Sequence, residues 1–171
     1  MNKMKEIQVE RVTLNIGTGG PGEGLDKAMK LLKNLTGLKP VATTTNKRIP
    51  SWGLRPGLQI GCKVTLRGKK AEAFLKSLFE AKSNQLEPSN FDNQGNFSFG
   101  ISEYLDIPGA EYDMSIGIIG LETAVTLSRP GFRIKNRRIM SRKIPTRHRI
   151  TKEESIEFIR NKYSVKIGDE E

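Results

Sequence analysis

At 171 residues with 36% hydrophobic residues, the chain is long enough for one domain with a real core and lies above the disordered regime. Its 29 lysines and arginines outnumber 19 acids, for a net charge of +10, which points toward an acidic partner. A single Cys and a single His exclude an internal disulfide and a zinc site of about four ligands, and no apolar run approaches the ~18 residues of a membrane span.

Residues 7–16 read as a strand, because Val12, Leu14 and Ile16 alternate with Arg11, Thr13 and Asn15. A glycine-rich turn follows at 17–24. Leu25, Ala28, Met29, Leu32 and Leu35 share one face of a helix over 25–35, with Lys27, Lys30 and Lys33 outside it and Gly37 as its left-handed stop. The β-branched stretch 41–45 is a short strand. In 46–57, Pro50, Gly53, Pro56 and Gly57 punctuate a loop too strongly for a regular element. Residues 58–67 form the clearest strand: Leu58, Ile60, Cys62, Val64 and Leu66 point one way, and Gln59, Gly61, Lys63, Thr65 and Arg67 the other. A helix over 69–82 buries Ala71, Phe74, Leu75 and Leu78. Strands follow at 97–102 and 121–127, with a further one expected at 114–119. The basic stretch 129–150 precedes Thr151-Lys-Glu-Glu154, a capping box that opens a helix over 152–162. This order predicts an α+β fold over residues 1–171 as a single domain. Helices pack on one face of a mainly antiparallel sheet, and the other face is open. Residues 1–6 do not resemble a signal peptide, so a cytosolic location is expected.

The basic residues are not spread evenly. Between Lys27 and Ala71 lie eleven lysines and arginines and no acid, and between Thr123 and Lys152 ten more, again with no acid. A polyanion that meets such windows releases condensed counterions, so nucleic acid is the expected partner. The polar face of the two amphipathic strands falls partly in the first window. Arg11, Thr13, Asn15, Lys63, Thr65 and Arg67 are therefore candidate RNA contacts rather than a merely solvated face. An RRM is disfavoured, since the central strand lacks exposed aromatics for base stacking.

The loop carries Lys47, Arg48, Ser51 and Arg55 around Trp52, the chain's only tryptophan. Trp52 can stack on a base or ribose, but spacing alone favours a residue that folds back and plugs its own loop. The segment 129–149 holds nine basic residues; being internal and tied down by a capped helix, it reads as a phosphate-docking surface rather than a solvated tail. Gly17-Thr-Gly19-Gly20-Pro-Gly22 formally matches GxGxxG, but no acid follows about 20 positions on to hold a ribose, so a flexible turn is the better reading. The amides at the following helix start are candidate phosphate contacts. No P-loop, nucleophile elbow or metal spacing appears, and Glu103, Asp106, Glu111 and Asp113 have no His nearby. No enzyme activity, cofactor or metal is expected.

Leu14-Asn-Ile-Gly-Thr-Gly19, Thr36-Gly-Leu-Lys-Pro-Val41, Gly53-Leu-Arg-Pro-Gly57, Gly61-Cys-Lys-Val-Thr-Leu-Arg-Gly68 and Gly95-Asn-Phe-Ser-Phe-Gly-Ile101 stand in this order along the chain. Together they resemble the ribosomal protein L-five family, the 5S-rRNA-binding proteins of the large ribosomal subunit. The resemblance runs from about residue 7 to residue 166 in the right order. The start at the first strand and the stretch ending in Thr146-Arg-His-Arg-Ile-Thr-Lys-Glu-Glu154 are similar to the archaeal–eukaryotic branch. The resemblance implies that the open sheet face grips 5S rRNA, with Asn15 and Thr65 at matching positions; Arg11, Thr13, Lys39, Thr43, Lys63 and Arg67 are assigned to the same interface. It implies that loop 46–58 reaches the elbow of P-site tRNA through Lys47, Arg48, Ser51, Trp52 and Arg55. Arg133, Lys135, Arg137, Arg138, Arg142, Lys143, Arg147 and Arg149 are assigned to further large-subunit rRNA. It also implies a place in the central protuberance, beside the other 5S-binding protein and facing a small-subunit head protein, with no membrane partner. Leu38 departs from the polar Gln usual in the family's turn, so no contact is assigned to it. The alternative reading is a binder of structured RNA outside the ribosome.

Overall fold

The computed structural model describes residues 2–168. In chain order its elements are β1 (Gln8–Gly17), α1 (Glu23–Thr36), β2 (Val41–Thr44), β3 (Gln59–Arg67), α2 (Gly68–Ala81) and β4 (Gln85–Leu86). They continue with β5 (Phe97–Ile101), β6 (Leu121–Ser128), α3 (Arg133–Asn136), α4 (Lys152–Tyr163) and β7 (Lys166–Ile167). A mainly antiparallel five-stranded sheet has the order β2-β3-β1-β6-β5, and β4 pairs with β7 in a small parallel sheet. The class is α+β, as the element order implied. The chain forms two compact units: Thr13–Leu66 with Gly100–Thr123, and Met1–Val12 with Arg67–Phe99 and Ala124–Glu171.

In the unit of 13–66 and 100–123, period-2 burial is clean. Leu14 and Ile16 are buried while Thr13 and Asn15 stay half-exposed, and Cys62, Val64 and Leu66 are buried between exposed Lys63 and half-exposed Thr65. Helix α1 adds Leu25, Ala28, Leu31 and Leu32 to this core. Leu31 takes the place expected of Met29 and Leu35, which are only half-buried. The buried stripe thus rotates toward one turn-to-turn pair, as a 3.6-residue period allows. Gly37 ends the helix at φ 67° and donates its amide to the Lys33 carbonyl. Burial pushes the Cys62 thiol up to about 11. Gly61 sits where β3 passes β1 so closely that a Cβ would lie 2.6 Å from the Ile16 carbonyl oxygen. No other residue fits there without moving backbone.

The expected strand at 114–119 does not form. That stretch is turn-rich, held by Lys30, whose Nζ donates to Asp113 and to Ser115, both at 2.7 Å. These bonds, and those from Ser115, hold the Asp113 carboxyl down at about 2.

The other unit is built around aromatics. Phe79 of α2 stacks on Phe97 and Phe99 of β5 at centroid distances of 6.1 and 5.7 Å, and meets Tyr163 of α4 edge-on at 5.2 Å. Phe79, not the expected Phe74, is the buried phenylalanine of α2; Phe74 is half-exposed. Both halves of the expected capping box are present: Glu154 N–H donates to Thr151 Oγ1 and Thr151 N–H to Glu154 Oε2. Ser155, fully buried one residue later, donates its hydroxyl to the Gly95 carbonyl at 2.7 Å. The β4–β7 pairing escaped a periodicity reading because two-residue strands have no period.

Candidate nucleic-acid interface

Burial on one side of the strands leaves the other side to solvent, and the register of β2 on β3 sets which residues meet there. Val41 pairs with Lys63 and Thr43 with Gly61, and directly paired residues point to the same face. Alternation puts Thr65 on that face as well. Strand β1, next to β3, presents Thr13 and Asn15, and β6, next to β1, presents Glu122. Lys39 is exposed just before β2. The face therefore runs from Val41 and Thr43, through Lys63 and Thr65, across Thr13 and Asn15, to Glu122. Val41 is 60% exposed, an apolar side chain offered on this otherwise polar face.

Glu122 was not found from the sequence. It lies one position before the second acid-free window, and pairing of β6 with β1 carries it onto the face. There Asn15 Nδ2 donates to Glu122 Oε2 at 3.1 Å. The charge on these strands thus runs from cationic at Lys63 of β3 to anionic at Glu122 of β6. In the other unit, Arg11 Nε reaches Thr126 Oγ1 at 3.4 Å, and Arg67 stands exposed immediately before α2. The turn before α1 is a poorer phosphate site than its glycines suggest. Although Gly22 leaves the helix start without a side-chain cap, Glu23 and Asp26 occupy the first helical turn, where they already complement the positive end of the helix and repel a phosphate.

Loop 46–58 is ordered by its own hydrogen bonds. Ile49 and Leu54 exchange N–H···O=C bonds at 3.0 Å in both directions, and Gly57 donates to the Thr45 carbonyl at 2.9 Å. Its tip is a short 3-10 turn, Pro50–Trp52, closed by Gly53 at φ 66°; the punctuating prolines and glycines shape a compact hairpin tip rather than abolish structure. The reading of Trp52 as a plug is wrong. Trp52 is 73% exposed, and the residue that anchors the loop is Leu54, buried together with Thr45. Lys47, Arg48, Ser51 and Arg55 are all exposed around it.

The basic segment divides by burial. Arg129 is buried: Nη1 donates to the Arg149 carbonyl at 3.0 Å and Nη2 to Glu154 Oε1 at 2.7 Å. It is a brace between the segment and α4. Arg133, Lys135, Arg137, Arg138, Arg142, Lys143, Arg147 and Arg149 are exposed. The segment's path is fixed by backbone acceptors: Arg137 Nε donates to the Met140 carbonyl at 2.8 Å, Arg149 Nε to the Ile144 carbonyl at 3.2 Å, and His148 Nε2 lies 3.0 Å from the Pro130 carbonyl. Phe132 packs edge-on against His148. Among the described residues no three His, Cys, Asp or Glu side chains gather to hold a metal, and no helix is long and apolar enough to cross a membrane.

Comparison with known proteins agrees across nearly the whole chain. A family model for ribosomal protein L5 matches residues 2–55, and a model for the C-terminus of the same ribosomal family matches residues 59–158. The chain is 49% identical over 168 residues to the large ribosomal subunit protein uL5 of Sulfurisphaera tokodaii, covering 98% of this chain and 95% of the relative. It is 52% identical over 165 residues to the uL5 protein of Nanoarchaeum equitans, covering 96% and 97%. For the uL5 protein of Methanosphaera stadtmanae the identity is 44% over 167 residues, covering 98% and 99%.

Proposed function

Because this chain belongs to the ribosomal protein L5 family, in its archaeal branch, and is a structural protein of the large ribosomal subunit rather than an enzyme, we propose that its open sheet face binds 5S rRNA in the central protuberance. The single observation that carries this reading is the face itself. Thr13, Asn15, Thr43, Lys63 and Thr65 stand side by side on strands whose alternate residues are buried, so the polar set costs the core nothing and is held rigidly. A rigid face of short hydroxyl and amide groups beside a lysine suits RNA, where hydroxyls read ribose and base edges and the ammonium meets phosphate. Lys39, Arg11 and Arg67 extend the cationic contribution.

Loop 46–58 contacts P-site tRNA in this reading, with Trp52 stacking and Lys47, Arg48, Ser51 and Arg55 meeting the backbone; the exposure of Trp52 supports it. The exposed cations of 129–150 hold further large-subunit rRNA. The whole chain, residues 1–171, acts as one rRNA-binding module, next to the other 5S-binding protein and a small-subunit head protein.

The test is a panel of purified RNAs, 5S rRNA against size-matched hairpins, with co-sedimentation on large subunits alongside. Preferential binding of 5S rRNA and retention on subunits in moderate salt are expected. Equal affinity for unrelated hairpins would count against the 5S assignment.

A further inference from the structure

We infer that Glu122 and Asn15 form an acceptor subsite on the sheet face that takes a neutral hydrogen-bond donor of RNA rather than a phosphate. The inference rests on the RNA-binding reading of this face. A carboxylate only accepts hydrogen bonds, so the Asn15 amide must turn its NH2 toward Glu122, as the 3.1 Å contact records. That leaves Asn15 Oδ1 directed away from Glu122 as an acceptor, with Glu122 Oε1 a second acceptor beside it and one Asn15 N–H still available.

Charge decides what such a subsite holds. A phosphate over Glu122 would place two anions in contact, whereas Lys63 stands on the other side of β1, on β3, and the Arg11 guanidinium of β1 turns to Thr126 rather than to Glu122. A strand of RNA crossing the face therefore sets a phosphate over Lys63 of β3 and turns a donor edge toward Asn15 and Glu122. Two RNA groups have that chemistry: the ribose 2′-hydroxyl and the guanine Watson–Crick edge, whose N1–H and N2–H match a carboxylate. Phosphate contacts fix register and base or ribose contacts carry the discrimination. Glu122 is thus a specificity-determining residue on a basic protein, in a place where net charge alone would call an acid unfavourable.

Nucleotide-analogue interference on the full-length protein tests this. Pools of 5S rRNA carrying inosine for guanosine, or 2′-deoxynucleotides, are partitioned by binding to the wild type, to Glu122→Gln and to Asn15→Ala. Glu122→Gln keeps the size of the side chain, and Asn15→Ala provides a second, independent removal of the subsite; thermal melting confirms that both stay folded. Glu122→Gln should bind 5S rRNA roughly tenfold more weakly, with an unchanged salt slope, since the lost hydrogen bond involves no phosphate. One interference position of the wild type should vanish in both variants. An inosine position identifies the guanine edge, and a 2′-deoxy position the ribose. Equal or tighter binding by Glu122→Gln with a steeper salt slope overturns the inference and makes Glu122 a mere repeller of phosphate. Identical interference maps for all three proteins overturn it too. In either case preference of the wild type for 5S rRNA over hairpins is untouched; loss of that preference instead strikes the 5S reading itself, and the subsite with it.

Discussion

Arg129 and Arg133 belong to the same acid-free segment, separated by one turn of chain, yet burial gives them different work. Arg129 has traded water for the Arg149 carbonyl and the Glu154 carboxylate, while Arg133 is exposed. Removing one partner of a buried pair leaves the others unsatisfied. Arg129→Met should therefore cost about 2–3 kcal/mol, below the usual range for buried pairs because Glu154 keeps 42% side-chain exposure. Arg133→Ala should stay within about 0.5 kcal/mol, as exposed substitutions do. Urea unfolding of the two variants measures both. The pair also carries a pH signature. Burial works to raise the Glu154 pKa, but the Thr151 amide and the Arg129 hydrogen bond and charge outweigh it, so the folded value is lowered. A lowered folded pKa means stability fully present above the ordinary glutamate value of ~4.3 and lost as pH falls below it. Arg129→Met should shrink that acid-side loss, whereas a loss of the same size in the variant would show that the brace does not act through Glu154.

At the level of elements, loop 46–58 separates the residues that hold it from the residues it displays. Leu54 and Thr45 are buried and the Ile49–Leu54 bridge closes the hairpin, so the tip keeps its shape whatever side chain stands at Trp52. Trp52→Ala and Arg55→Ala should leave unfolding stability within about 0.5 kcal/mol and leave 5S rRNA affinity unchanged. They should weaken protection of the P-site tRNA elbow in footprinting of ribosomes carrying the variants, Trp52 through stacking worth about 1–3 kcal/mol per base. Leu54→Ala should instead cost about 2 kcal/mol, since it empties the loop's own anchor. Unchanged elbow protection with both tip substitutions would sink the tRNA role; a large loss of stability in Trp52→Ala would restore the plug.

For the whole molecule, the two basic windows distribute between the two units. Residues 27–66 of the first window lie in one, and residues 124–152 of the second lie in the other. Each unit thus carries its own exposed cations. Affinity for rRNA should fall steeply with salt, by roughly 0.7–0.9 in the slope of log K against log salt for each phosphate neutralised. Lys63→Ala in one unit, and Arg138→Ala in the other, should each lower the slope by about 1 if its side chain meets a phosphate. Fluorescence titrations over a salt series read this directly, and a flat response would mean that the cations do not meet phosphate.

Much of this was already written in local order along the chain. Alternation at Val12, Leu14 and Ile16 against Thr13 and Asn15, the Thr151–Glu154 box and the Gly37 stop all follow from the covalent geometry of neighbouring residues, which a short stretch of sequence contains in full. The acid-free windows are equally visible, because charge needs no fold to be counted. Other outcomes depend on which distant segments meet. Whether Phe74 or Phe79 is buried depends on where β5 brings Phe97 and Phe99; whether Trp52 plugs or protrudes depends on Leu54 filling the space first. Gly61 is required by the approach of the Ile16 carbonyl, and Arg129 is withdrawn from solvent by a carboxylate 25 positions later. Glu122 shows the difference most sharply. By sequence it is the acid just outside a basic window, and only strand pairing, which joins residues 107 positions apart, sets it against Asn15 at the end of the open sheet face. Periodicity determines which way a side chain points; the order of strands in the sheet determines what it points beside.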